Sequence, residues 1–376
     1  MNSELFTSFF HGILSIGIGE IAMMMIGFTL IFLAIKKKYE PALLLPIGFG
    51  TLLANIPSSS AIGEDGALTV FFHAGILTEV FPLLIFVAVG AMIDFSPLFK
   101  NPSLLLFGAA AQFGIFMTMM LATLFGFNLK EAASIGIIGA ADGPTSIYVA
   151  TRFAQNLLGP ISVAAYSYMA LVPIIQPPVI NALTTKQERQ IKMVGHNREI
   201  SKTTLILFPI IVTVVAGLIA PSSVALIGFL MFGNLIRECG VLSSLSKTAQ
   251  LELGNLVTIL LGITIASTMT ANAFLKTDTL IIIGLGLFAF IFDTAGGVLF
   301  AKLLNVFLPK HLKVNPMIGA AGISAFPMSA RVIHKMGQEN DPSNYLLMYA
   351  VSANVAGQIG SVIAGGIILS LIPLLN

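Results

Sequence analysis

Charge-free stretches organise this chain. No charged residue occurs from Pro102 to Phe127, from Thr203 to Ile236, or from Tyr345 to Asn376. A helix needs about 20 apolar residues to cross a hydrocarbon core of roughly 30 Å. Each stretch therefore predicts one spanning helix, or two short ones where Pro or Gly interrupts. The chain is 56% hydrophobic and 10% charged, against about 25% charged in a soluble protein. It lacks the polar surface to face water on all sides, and the fold class expected is an all-α polytopic membrane protein.

Other counts exclude whole classes. The start carries no positively charged region or small-residue cleavage site, and Glu20 interrupts the apolar run, so the first helix is expected to stay in the mature protein. A lone cysteine, Cys239, excludes an intrachain disulfide and a Cys-based zinc site. Five scattered histidines form no ligand pair. The net charge of +2 is too small to suggest nucleic acid. No G-x-x-x-x-G-K-[ST] loop is present, which argues against ATP hydrolysis by this chain.

The halves resemble each other. Pro41-x5-Ile47-Gly48-Phe49 recurs as Pro221-x5-Ile227-Gly228-Phe229, and Ile138-Gly139-Ala140-Ala141 as Ile318-Gly319-Ala320-Ala321, both shifted by 180 residues. Leu98-Phe99-Lys100 recurs as Phe274-Leu275-Lys276, shifted by 176. Three matches in order argue for duplication. Lys36, Lys37 and Lys38 precede the first Pro motif, whereas Gly217 to Ala220 before the second carries no charge. After the paired helix, copy one meets Glu64 and Asp65 while copy two meets Arg237 and Lys247. By the positive-inside rule the copies face opposite ways. The boundaries expected are residues 1–185, a basic cytoplasmic linker 186–202, and residues 203–376. The linker holds Lys186, Arg189, Lys192, Arg198 and Lys202, read as a solvated loop or as a docking surface for an acidic partner. Inverted repeats whose broken helices or re-entrant hairpins meet near the midplane are a recurrent plan of secondary transporters.

A charge at mid-membrane costs roughly 2.5–3.5 kcal/mol on insertion scales, so it normally faces a cavity or a partner. Asp142 lies in Gly139-Ala140-Ala141-Asp142-Gly143-Pro144-Thr145-Ser146. Pro144 lacks an N–H and Gly143 tolerates any backbone geometry, so a helix should break at the aspartate. The break would free carbonyls beside a carboxylate and two hydroxyls, a hard-oxygen set suited to a small cation. The alternative, a capping residue in a surface loop, is opposed by the neighbouring apolar runs. Copy two, Asn315 to Arg331, repeats the stem, the Gly and Pro breaks and a terminal arginine, and offers Asn315 and Ser324 instead of an acid. Arg331 either binds a carboxylate with its planar fork or snorkels from a helix end; Arg152 is expected only to snorkel. Tyr168 is either a structural hydroxyl or one that passes a proton or contacts a substrate. Asn354 is either an oxygen ligand or an interhelical bonder, and Asp293 either a further intramembrane acid or a cap at a helix break. Glu79 and Asp94 read as segment-end residues.

These residues carry a resemblance. Gly139 to Thr145, Ala165-Tyr166-Ser167-Tyr168-Met169-Ala170-Leu171, the Asn315 to Arg331 block, and Asp341 to Asn344 followed by Asn354 to Gly357 resemble the β subunit of the biotin-dependent, sodium-pumping decarboxylases. Those enzymes act on oxaloacetate, methylmalonyl-CoA or glutaconyl-CoA. The resemblance covers essentially the whole chain. It implies a subunit of the bacterial cytoplasmic membrane that releases carbon dioxide from carboxybiotin, consumes a proton and exports Na+. It implies as partners a carboxyltransferase α subunit, a biotin carrier protein, a small single-helix membrane subunit and further copies of this chain. Within the set it implies, Asp142, Asn315, Ser324 and Asn354 are expected to hold Na+, Arg331 the carboxylate of carboxybiotin, and Tyr168 the proton. Lys192 lacks the Met-Lys-Met setting of a biotinylated lysine, so biotin is expected on another chain. A stand-alone sodium-coupled transporter of a small organic anion is the rival reading, and a structural scaffold the third.

Overall fold

The structure is a computed structural model that describes residues 12, 15–39, 41–193 and 199–375. His11, His196 and Arg198 lie outside the described residues. Among the described residues there are helices and turns and no strand. In the first half the main elements are α1 (Ile18–Phe32), α2 (Pro41–Ala54), α3 (Val80–Met92), α4 (Leu105–Ala110), α5 (Phe113–Leu124), α6 (Leu129–Gly136), α7 (Gly143–Phe153) and α8 (Leu158–Leu183). The second half holds α9 (Lys202–Ile219), α10 (Val224–Glu238), α11 (Gly254–Ile265), α12 (Thr277–Phe307), α13 (Met317–Ala320), α14 (Met328–Asn340) and α15 (Leu347–Leu371). The order repeats. A long apolar helix, a Pro-started helix, a π-turn running towards α3 or α11, and a span followed by a short interrupted helix occur in each half, in that sequence.

Among the described residues six helices are long and apolar enough to cross a membrane, and two further pairs bent by 62° and 66° would raise the number to eight. The second of these bends falls inside α8, where Pro173 follows. A proline there removes one helical hydrogen bond and crowds the preceding turn. The spans leave large apolar side chains uncovered: Met120, Leu218 and Val306 are 63%, 80% and 76% exposed. Such surface fits lipid and not water. In α9 only Pro209 is buried, so this helix is coated almost wholly by its surroundings.

Inside, the helices meet through glycines. A Cβ at Gly90 of α3 would lie 1.8 Å from the Leu230 carbonyl oxygen of α10, and one at Gly233 of α10 would lie 2.0 Å from that of Val87. Gly297 of α12 and Gly319 of α13 face each other the same way, at 2.1 and 2.0 Å. Small residues let backbones approach closely where lipid provides no hydrophobic drive for association. Asn234 of α10 then donates to the Ile93 carbonyl at 2.9 Å, and Arg237 to that of Met92 at 2.7 Å, covering the open end of α3.

This packing sets a paired test. Gly90→Ala must push α3 off α10 and is expected to destabilise by about 1–3 kcal/mol, the usual cost of overpacking. At Gly284 an added Cβ meets nothing within 4 Å, so Gly284→Ala is expected to be neutral or to stabilise by up to about 1 kcal/mol through helix propensity. Thermal unfolding in detergent reads both.

A candidate cation site at two broken segments

The first break starts from a well-capped helix. Asn128 and Glu131 exchange side-chain bonds to each other's amides at 3.0 and 3.2 Å, starting α6. The helix tightens into a 3-10 turn over Ile137–Ala140, and Ala141 turns left-handed at φ 52°. Asp142 then caps α7 with Pro144 in its first turn. The break expected from Gly143 and Pro144 falls at the aspartate. Asp142 is indeed a cap, but a buried one, at 4% exposure.

Its two oxygens are treated differently. Oδ1 accepts the Thr145 amide at 3.2 Å. Three hydroxyls stand around Oδ2: Thr145 and Ser361 at 2.7 Å each, and Ser324 at 3.3 Å. Ser324 and Ser361 also share a hydrogen bond of 2.9 Å. The carboxylate is thus held by α7, by the second broken segment and by α15 together.

That second segment leaves helix after Ala320 and regains it at Met328. Its freed carbonyls must find donors, since water is absent from an apolar interior. Gln176 donates to Ala320 at 2.8 Å, joined by Ser329 at 3.1 Å. Asn354 donates to both Ala321, at 3.2 Å, and Ile323, at 2.7 Å. Gln358 donates to Ser324. Finally the Ser324 amide donates to the Ala140 carbonyl at 3.0 Å, tying the breaks together. Asn354 Oδ1 and Tyr166 Oη are buried without a partner among the described residues.

A cavity of about 230 Å³ reaches this joint. Asp142, Ser324, Gln358 and Tyr166 line one side, and Gln250, Asn255 and Thr258 line the side formed by α11 and the turn before it. Asp142 is the one charged residue in that lining. One negative charge among hydroxyl and amide oxygens suits a monovalent hard cation. Among the described residues no three His, Cys, Asp or Glu side chains gather in one place.

The remaining candidates separate. Asp142 and Ser324 are in contact, and Asn354 braces the loop that carries Ser324. Asn315 is elsewhere: its Nδ2 donates to the Arg189 and Ile191 carbonyls at 2.9 Å, and its Oδ1 accepts the Met317 amide at 3.1 Å. It ties Arg189 and Ile191 of the linker to the second broken segment. Tyr168 donates to the Ile283 carbonyl of α12 and packs on Gly286, so its hydroxyl is committed away from the cavity. Arg331 stands exposed on α14 without an ion pair among the described residues. Arg152, expected to snorkel, instead forms a two-pronged pair with Glu79 at 2.6 and 2.9 Å. Asp293 is fully buried inside the unbroken helix α12. Its Oδ1 accepts the Gly114 amide at the start of α5, so it caps another helix and not a break of its own, and its Oδ2 has no partner among the described residues.

Sequence reasoning missed Ser361, Gln358, Gln176 and Tyr166. A signal was present for two of them. Asn354, Gln358 and Ser361 recur at i, i+4 and i+7 on an otherwise apolar helix, one polar stripe on one face.

Residues 186–193 of the linker are tied down. Besides Asn315, Asn344 donates to the Arg189 and Ile191 carbonyls at 3.2 and 3.3 Å. Lys192 pairs with Asp341 at 3.1 Å and donates to the Ser343 hydroxyl at 2.6 Å.

A multi-span helical protein with one acid buried between two broken segments, facing a cavity that carries hydroxyl and amide groups, belongs to the class of ion-coupled membrane proteins. The family model for the Na+-transporting oxaloacetate decarboxylase beta subunit matches residues 19–372, and the chain belongs to that family. It is 50% identical over 389 residues to the methylmalonyl-CoA decarboxylase subunit beta of Propionigenium modestum, covering 96% of this chain and 98% of the relative. The glutaconyl-CoA decarboxylase subunit beta of Acidaminococcus fermentans is 51% identical over 354 residues, covering 94% and 93%. The oxaloacetate decarboxylase beta chain 2 of Salmonella typhi is 45% identical over 419 residues, covering 95% and 96%. The chain is therefore a membrane subunit of a sodium-pumping decarboxylase, multi-pass in the bacterial inner membrane, and part of a multi-subunit complex.

Two outcomes follow from the geometry. Asp293→Asn keeps an acceptor for Gly114 and is expected to retain sodium-dependent activity. Asp293→Ala leaves that buried amide unpaired at a cost of about 1–3 kcal/mol, read as a lower melting temperature. Sodium dependence lost in Asp293→Asn at an unchanged melting temperature would make Asp293 a second coupling acid.

The linker gives a pH test. The Asp341 carboxyl is held down at about 2, below the ordinary 3.8, first by the Ser343 hydroxyl, then by the Ser343 amide and Lys192. A depressed folded value stabilises above the unfolded value and loses its effect as pH falls through the folded one. Linker amides are expected to keep constant protection from pH 7 down to the 3.8 of free aspartate and to lose it towards 2. Hydrogen exchange measures this, and Asp341→Asn should already exchange faster at pH 7.

Proposed function

We propose that this chain decarboxylates carboxybiotin presented by a partner subunit and couples the reaction to Na+ export through Asp142. The observation that carries the reading is that Asp142 alone brings charge into the cavity between the broken segments. The scission breaks the bond between a biotin nitrogen and the carboxyl carbon, releases carbon dioxide and leaves the nitrogen to take up one proton. A proton bound at Asp142 and a sodium ion bound at Asp142 exclude each other, because one carboxylate cannot hold both. Proton consumption and sodium movement are thereby linked at one residue.

Ser324, Ser361 and Thr145 give the ion hydroxyl oxygens, and Asn354 contributes its unpaired Oδ1. Asn315 acts at a distance from them, by fixing the linker against the second broken segment. Arg331, exposed and unpaired, is suited to take a carboxylate arriving from water. Tyr168 steadies α12 beside the site and is not the proton donor. The halves face opposite ways, as their loop charges indicate. The biotin carrier and the carboxyltransferase are other chains, a small single-helix subunit joins them, and several copies of this chain assemble together. The relatives serve three acyl substrates with chains 45–51% identical to this one, which supports the view that another subunit selects the acyl group.

Radioactive sodium uptake into inverted vesicles holding the complete complex tests the reading. Uptake started by the acyl substrate is expected to fall at least about a hundredfold in Asp142→Asn, a change of roughly 2.7 kcal/mol, and to be abolished by avidin. Avidin-insensitive uptake would favour a stand-alone sodium-coupled transporter. Normal uptake by Asp142→Asn would sink the site.

A further inference from the structure

Tyr166 is a buried, cavity-lining group that no step above uses. It is 1% exposed, and its hydroxyl has no partner among the described residues. A buried phenol normally finds a hydrogen bond, and leaving one unmade is costly. Its ring position is fixed. An added Cβ at Gly143 would lie 2.2–2.8 Å from three ring carbons of Tyr166, so the ring lies flush on the backbone next to Asp142. Both residues line the same cavity. Tyr168, two positions on, points to another side of α8, because adjacent even positions on a helix stand about 200° apart.

Other elements complete the setting. Gln250, Asn255 and Thr258 bring amide and hydroxyl oxygens to the cavity from α11 and the turn before it. A volume of about 230 Å³ holds several waters at roughly 30 Å³ each, enough for a partly hydrated ion. The group that satisfies the Tyr166 hydroxyl must enter from that space.

We infer that the Tyr166 hydroxyl is a sodium ligand, replacing one water of the ion as it passes from the Gln250–Asn255–Thr258 wall to Asp142. This rests on the reading of Asp142 as the coupling carboxylate. A phenol oxygen offers a hard lone pair like those of Ser324 and Thr145, and the Gly143 contact places it without a rotamer search. The missing Cβ at Gly143 thus serves the tyrosine as well as the helix break.

Tyr166→Phe keeps the ring against Gly143 and removes only the oxygen. In the complete complex the sodium concentration for half-maximal decarboxylation is expected to rise about tenfold, the equivalent of one ligand at 1.4 kcal/mol. The loss should be confined to sodium affinity, with turnover at saturating sodium changed by less than about threefold. An unchanged sodium curve overturns the inference. Should the variant fail to assemble, 3-fluorotyrosine placed at 166 reports directly. Its fluorine resonance is expected to move with added Na+ and not with choline, and a resonance indifferent to Na+ overturns the inference equally. Avidin sensitivity of the wild-type complex is scored beside these. A sodium-responsive resonance without avidin sensitivity would retain Tyr166 and reject the carboxybiotin reading.

Discussion

Backbone carbonyls set free inside an apolar protein govern this architecture. Two helices stop and restart inside the protein, and each stop exposes polar groups that an apolar interior cannot satisfy. The second break alone frees the carbonyls of Ala320, Ala321, Ile323 and Ser324. Gln176, Asn354 and Gln358 reach them from α8 and α15. Glycine crossings bring α15, α12 and α4 within backbone contact of the loop, which sets Asn354 and Gln358 of α15 within reach of its carbonyls. Gly322, for instance, lies against Gly357 and Phe107 so closely that a Cβ there would come within 2.4 Å of the Phe107 carbonyl. Helix packing and loop capping are one constraint seen from two sides.

Much of this was legible in the sequence, for stated reasons. Spans show because long apolar runs have no other use. Asp142 shows because a carboxylate between Ala141 and Gly143-Pro144 combines an expensive charge with the two residues least able to continue a helix. Ser324 and Asn354 show through the repeated stem and through polarity in an apolar run. What stayed hidden depends on direction. Tyr166 and Tyr168 are the same residue type in one motif, and only the rotation of α8 decides which faces Gly143 and which faces α12. Asn315 looked like a ligand because it begins the second stem, yet its amide binds a linker 126 residues earlier in the chain. Asp293 illustrates the same limit: its carboxylate answers a helix start at Gly114, 179 positions away, and no local pattern announces that pairing.

The polar groups at the joint divide by how readily they change partners. An amide that caps a carbonyl has its N–H direction fixed, and Asn354 and Gln358 therefore form a rigid frame. A hydroxyl rotates about its C–O bond and presents either a proton or a lone pair. Thr145 turns its proton towards Asp142 Oδ2, and of Ser324 and Ser361, which also bond each other, one supplies a second, an arrangement suited to a bare carboxylate. A sodium ion at that oxygen asks the same three groups for lone pairs, which rotation about their C–O bonds supplies. Protonation of the carboxyl asks for one acceptor, which any of the three supplies by a single rotation. On the proposed role of Asp142, hydroxyls around the one cavity-lining acid inside an amide-held frame suit the exchange of a proton for a cation without rebuilding either broken segment.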